Sequence, residues 1–276
     1  MIPIKVLVPS GVLGLGFDLE ALNNGVKNNP DIISIDGGST DSGPYSLGSG
    51  TSKYSRAAIK AEWKSLMIAR KKANVPLVIG SCGTCGTNGM VDWMENITIE
   101  LAEELNQNIK IAKLYCQQEK NFIKKKFQLS KIFPLNPAPM LNDQLIDEMT
   151  NIVALAGAEQ IQECINTGAE IILAGRTTDT AIISALPLMK GANPGSSWHG
   201  SKVVECGALC STNPTSGVVM VEFDKTGFTV EPMSKNAFCT SETVAAHMLY
   251  ENADPYILYE PGGYMDVTYS NYYNID

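Results

Sequence analysis

The chain has 276 residues, 44% hydrophobic and 18% charged, which is enough apolar material for a large core in one big domain or two smaller ones. A net charge of -8 argues against nucleic acid or an anionic membrane surface as partner, since either selects clustered Lys and Arg, and the one basic cluster, Lys124-Lys125-Lys126, reads as a solvated helix face. No apolar run is long enough to span a membrane, no signal-peptide core follows the N-terminus, and seven cysteines without framework spacing suit a reducing compartment, so a cytoplasmic location is expected.

In chain order, five short apolar runs each end in glycine and small polar residues, and each is followed by a helical pattern. The runs are Lys5 to Val8, Asp31 to Ile35, Pro76 to Ile79, Lys110 to Leu114 and Glu170 to Ala174. Strands buried on both faces read this way, and parallel neighbours need helical crossovers between them. Helices are expected over Ser55 to Asn74, over Met90 to Asn106, as a pair between Asn142 and Thr167, and over Asp179 to Met189, Trp198 to Cys210 and Ser241 to Glu251. Near Thr212 to Ser216 the period changes. Gly217 to Phe223 and Phe228 to Glu231, joined by Asp224-Lys225-Thr226-Gly227, read as a hairpin.

The expected fold is therefore α/β, a Rossmann-like open, mostly parallel sheet with flanking helices, followed by a smaller α+β segment. Residues 1–212 form the α/β domain, with a ligand crevice at the strand carboxyl ends. Residues 213–276 begin a second, incomplete α+β domain.

Chemistry concentrates in the loops after the strands. In Asp36-Gly37-Gly38-Ser39-Thr40-Asp41, adjacent glycines expose N–H groups to an anion, and Asp36 and Asp41 flank the hydroxyls of Ser39 and Thr40. That equips a site for a phosphate, a carboxylate or a hydrated Mg2+; the bland alternative is a capped surface turn. Gly80 to Asn88 opens onto a helix, where Ser81, Thr84 and Asn88 stand ready for an anion. The spacing of Cys82 and Cys85 invites redox or zinc chemistry, but no second pair stands at metal spacing, so the two serve as small residues in a tight turn. Gly11 to Gly16, with Asp36 some twenty residues on, has the wrong glycine order for a dinucleotide fingerprint. In Gly175-Arg176-Thr177-Thr178-Asp179, Arg176 offers a planar fork for a carboxylate or phosphate, and Asp179 can hold that fork in place, the alternative being an Arg-Asp pair that caps a helix. At helical spacing Lys202 and Cys206 share the face of His199, a base, an ammonium and a thiol suited to proton transfer; His247, with apolar neighbours, reads as a packed histidine.

Asp36 to Tyr45, Gly80-Ser81 with its glycine loop and Gly175 to Asp179, with Trp198-His199-Gly200-Ser201-Lys202, Glu205-Cys206-Gly207-Ala208 and Cys239 to Glu251, resemble in collinear order the acyclic terpene utilisation protein AtuA family. The resemblance implies a cytoplasmic protein in the catabolism of branched acids, often as acyl-CoA thioesters. It also implies a chain that continues past Asp276, and small residues where Cys82 and Cys85 stand. The expected function is an enzyme acting on a small branched carboxylic acid or its acyl-CoA thioester by lyase, hydratase or isomerase chemistry. The CoA ester would be the substrate and Mg2+ a candidate cofactor, in a homo-oligomer or with a companion subunit. The alternatives are a non-catalytic acyl-CoA-binding or partner subunit and a nucleotide-dependent oxidoreductase.

Overall fold

The computed structural model describes residues 3–39, 43–135, 137–138, 140–250, 252, 254–260 and 263–275. The elements run β1 (Ile4–Val8), α1 (Leu19–Lys27), β2 (Ile32–Asp36), α2 (Tyr45–Ser49), α3 (Arg56–Ala73), β3 (Leu77–Gly80), α4 (Asn88–Glu104), β4 (Ile111–Leu114), α5 (Lys120–Gln128), α6 (Asp143–Glu148), α7 (Ala158–Asn166), β5 (Ile171–Ala174), α8 (Ala181–Met189), α9 (Pro194–Val204), β6 (Val219–Phe223), β7 (Phe228–Pro232), α10 (Ser241–His247), β8 (Ile257–Glu260) and β9 (Gly263–Asp266). All five expected strands form, within a residue or two of the apolar runs. Helix ends follow local chemistry. Ser55 caps α3 by accepting from Ala58 N–H, and Asn74 ends it in the left-handed region; Asn142 caps α6 by accepting from Leu145 N–H.

Among the described residues the main sheet has the order β4-β5-β3-β2-β1-β6-β7. The first five strands are parallel, and β6 and β7 run antiparallel to their neighbours. Successive side chains of a strand enter opposite layers. Val6 and Val8 pack toward α7, α8 and α9, while Leu7 packs toward α1, α3 and α4. Both faces are therefore buried, which is why the strands read as unbroken apolar runs. In the second layer Trp63 of α3 is fully buried and donates from Nε1 to Thr98 Oγ1 of α4 at 2.9 Å, which satisfies its one polar atom.

Two expectations change. The hairpin at 219–232 extends the sheet of the preceding segment, because Val219 to Phe223 pair with Val8 to Ile4. Among the described residues β8 and β9 form a separate two-stranded sheet. The helix expected over Trp198 to Cys210 is two elements. Pro194 at N1 and the Asn193 cap start it earlier, and the α-helix stops at Val204; Gly207, at φ +59°, then opens a separate 3-10 turn to Cys210.

Candidate functional site at the carboxyl edge of the sheet

β5, β3 and β2 are adjacent and parallel, so the loops that follow them meet at one edge. Backbone bonds lace these loops together. Gly37 N–H donates to Gly80 O at 2.8 Å, Thr84 N–H to Gly37 O at 3.0 Å, Ser81 N–H to Gly175 O at 2.9 Å and Cys82 N–H to Ala174 O at 3.0 Å. The approach is close enough to demand glycine at two points. A Cβ on Gly37 would lie 2.5 Å from Ser81 O, and one on Gly86 would lie 2.7 Å from Arg176 Cα, with Gly86 also at φ +64°. Ser81 at φ +42° and the β-branched Thr84 at φ +71° hold conformations that cost about 1–3 kcal/mol each, so strain in this site is concentrated in the loop after β3.

Arg176 reaches across the edge. Its Nη1 donates to Gly38 O at 3.1 Å and to Ser81 Oγ at 3.2 Å, joining all three loops through one half-buried guanidinium. Beneath it lies Asp36, 3% exposed. Burial pushes the Asp36 carboxyl well above the usual carboxylate range, the Asp179 charge pushes it further, and Arg176 with the N–H groups of Gly38 and Gly37 pulls it back. Oδ2 accepts from Gly38 N–H at 2.7 Å. Oδ1 and the Oγ1 of fully buried Thr177 have no hydrogen-bond partner among the described residues, and both face the Cα of Gly80, whose added Cβ would lie 3.4 Å from Oδ1. A buried carboxyl that favours its proton, next to a cation that can hold an anion, suits acid-base chemistry on an anionic or carbonyl-bearing molecule.

The structure thus brings together Asp36, Gly37, Gly38, Ser81, Thr84, Arg176 and Asp179. Thr40 and Asp41 lie outside the described residues. The expectation that glycine-loop amides cradle an anion is corrected in part. The N–H groups of Gly37, Gly38, Ser81, Cys82, Thr84 and Gly86 all bond within the protein, and at the start of α4 Asn88 N–H donates to Gln117 Oε1 at 3.2 Å. In the first loop Gly14 N–H donates to Glu62 Oε2 at 2.7 Å and Leu13 N–H to Asp36 O at 2.8 Å, so that loop braces Asp36 from behind. Thr177 and Gly80 also belong to the site. Thr177 stands inside the Gly175 to Asp179 motif, but composition does not reveal which of two adjacent threonines points inward.

His199 and Lys202 both lie on α9, three residues apart, but Cys206 does not continue their face. The His199 ring packs edge-on against Phe228 at 5.0 Å, and Nε2 shares a 2.7 Å hydrogen bond with Tyr272 Oη. Phe228 opposes Phe223, which opposes Ile4, so His199 sits at the amino end of the parallel strands, away from Asp36. Burial lowers its pKa to about 4. Lys202 pairs with the buried Glu205 three residues on. Cys206 lies past the end of α9, against the loop after β1; a Cβ on Gly11 would lie 2.9 Å from Cys206 Cα. The shared face needs a continuous helix, and the helix ends at Val204.

Cys82 and Cys85 are fully buried free thiols, and burial first, then the Asp36 charge, raises the Cys82 pKa. Among the described residues no group of three or more His, Cys, Asp or Glu is placed to hold a metal ion, and no helix is long and apolar enough to cross a membrane. Beside the Arg176 loop, Asn88, Gln117 and Gln118 line an open polar cleft of about 510 Å3.

A family model described as acyclic terpene utilisation family protein AtuA matches residues 46–274. The match takes in Ser81, Thr84, Arg176, Asp179 and His199 and begins after the Asp36 loop. No curated protein and no solved structure matches the chain.

Proposed function

The chain belongs to the acyclic terpene utilisation AtuA family, which gives it a broadly catabolic role, and from that premise we propose that it is a cytoplasmic enzyme acting on a small branched carboxylic acid or its acyl-CoA thioester. The chemistry proposed is proton transfer of the lyase, hydratase or isomerase type, with Asp36 as acid and base and Arg176 holding the carboxylate or the thioester oxygen.

The observation that carries this reading is the buried Asp36 carboxyl, with Oδ1 unpartnered among the described residues, beside the half-buried Arg176. A raised pKa lets a carboxyl deliver a proton near neutral pH and recover it afterwards. Arg176 supports the reading too. Nη1 is anchored to Gly38 O and Ser81 Oγ, while among the described residues no hydrogen bond holds Nη2 or Nε. A fork anchored at one corner presents its other donors in a fixed plane, which suits a carboxylate.

The test is deuterium wash-in. Branched acids and their thioesters are incubated with the protein in D2O and analysed by mass spectrometry. Incorporation that is lost in Asp36→Asn and strongly slowed in Arg176→Lys supports the proposal; incorporation that is unchanged in Asp36→Asn refutes it. One observation favours the second reading, a subunit that binds the acyl group without transforming it: Asp36 is only 3% exposed. On that reading the ligand binds and no deuterium enters.

A further inference from the structure

We propose that the polar cleft beside the Arg176 loop is a subsite for a secondary amide. Resting on the reading above, this makes the substrate an acyl thioester whose carrier arm contains amides, in preference to the free acid. The cleft occupies about 510 Å3, and its lining includes Asn88, Gln117, Gln118, Asn121 and Thr150.

Two features connect it to Arg176. Gly86, two residues before Asn88, packs against the Arg176 backbone. On the other wall, Gln118 N–H donates to Ile152 O at 2.7 Å, and Ala154 N–H to Cys116 O at 2.8 Å. The same segment continues to Ala156, whose N–H donates to Arg176 O at 2.9 Å. One short stretch of chain therefore forms both the wall of the cleft and the brace of the arginine loop.

The hydrogen bonds within the cleft fix which amide atoms remain for a ligand. Asn88 Oδ1 accepts from Gln117 N–H at 3.2 Å, and Gln117 engages its own amide with Asn88 N–H and with Asn151 Oδ1. Gln118 Nε2 donates to Cys116 O at 2.9 Å. Asn121 and Thr150 add a further amide and a hydroxyl to the lining, and of the three amides of Asn88, Gln117 and Gln118, a donor, Asn88 Nδ2, and an acceptor, Gln118 Oε1, carry no hydrogen bond among the described residues. A secondary amide is the complement of that pair, with its C=O for the donor and its N–H for the acceptor.

Charge argues against a phosphate. Lys120 Nζ donates to Asp147 O at 2.7 Å, and Asp147 itself pairs with Lys124 at 2.8 Å, while Glu119, exposed on the lining, repels anions. The site is selective for an uncharged chain with both donors and acceptors.

The probe is S-methylpantetheine, which carries two secondary amides, and the control is triethylene glycol, a flexible chain with no amide. Binding to the full chain is followed by saturation-transfer NMR and titration calorimetry. Saturable binding of the amide probe is expected, at least about fivefold tighter than the glycol. Asn88→Asp keeps the acceptor that braces Gln117 and removes the free donor, and it should weaken the probe by a similar factor, as should Gln118→Met. Equal binding of probe and glycol, or unchanged affinity in a folded Asn88→Asp protein, overturns the proposal. Asp36→Asn separates the two ideas. Probe binding that survives in Asp36→Asn, with no deuterium wash-in by the wild type, leaves the subsite standing and the proposed chemistry refuted. Wash-in that depends on Asp36, with no probe binding, does the reverse.

Discussion

Arg176, two residues past the end of β5, donates from Nη1 to Ser81 Oγ, the first residue past β3, at 3.2 Å, and the same nitrogen donates to Gly38 O in the loop after β2 at 3.1 Å. One side chain thereby ties together the ends of three adjacent parallel strands over a buried carboxyl. Arg176→Lys keeps the charge but not the fork, so any activity that depends on oriented anion binding should fall at least tenfold while the fold persists. Michaelis kinetics on a wash-in substrate would check this.

The close packing of the Gly86 backbone on Arg176 gives a stability prediction. Gly86→Ala adds a Cβ 2.7 Å from Arg176 Cα at a residue with φ +64°. Backbone strain and overpacking together should cost about 2–4 kcal/mol. Urea unfolding measures it, and a loss below about 1 kcal/mol would show that the two loops are not packed this closely.

Asp36 and the two histidines couple stability to pH with opposite signs. The Asp36 pKa is raised in the folded state, so its contribution is present below the unfolded carboxylate range and is lost as pH rises. His199 and His247 are both lowered to about 4, each chiefly by burial, so their contribution is present above about 6.5 and is lost as pH falls toward 4. In mild acid unfolding takes up protons at the histidines, and the raised Asp36 pKa works in the opposite direction. Asp36→Asn should therefore be more stable than the wild type at neutral pH, with no gain below about pH 4. Its stability should also fall more steeply with acid, because it lacks the opposing contribution of the raised Asp36 carboxyl. Parallel stability-pH curves for the two proteins would contradict the burial of Asp36.

The thiols give a prediction with a direct chemical readout. Of the seven cysteines, Cys82, Cys85, Cys116, Cys164 and Cys210 are buried, and Cys206 and Cys239 are half-buried. An aromatic disulfide reagent should label two thiols in the native protein and all seven in denaturant. Replacing Cys82 and Cys85 together by Ala should cost about 1–3 kcal/mol and leave ligand binding within a few fold. A bound metal or a fast-reacting thiol at that pair would contradict their structural role.

Much of this was legible in the chain. Val6 to Val8, Ile32 to Ile35 and Ile171 to Ala174 announce strands buried on both faces, and adjacent parallel strands necessarily bring Asp36, Ser81 and Arg176 to one edge. What was not legible depended on tertiary bonds. The amides of Gly37 and Gly38 look free in a glycine-rich loop, yet Gly80 O and Asp36 Oδ2 accept from them. The His199 to Cys206 stripe fails because helical spacing presumes a helix, and Gly207, which takes a positive φ, lies just beyond the real end. Likewise Val219 to Phe223 read as a hairpin arm with nothing local to reveal that β1 is its partner.

The central claim is that Asp36 holds its proton beside Arg176, and carbon-detected NMR of the Asp36 carboxyl across a pH titration tests it most directly. The expected result is a midpoint well above the usual carboxylate range, higher still in Arg176→Met and lower in Asp179→Asn, because Arg176 lowers the value and Asp179 raises it. A wild-type midpoint near 4 that neither variant moves would contradict it.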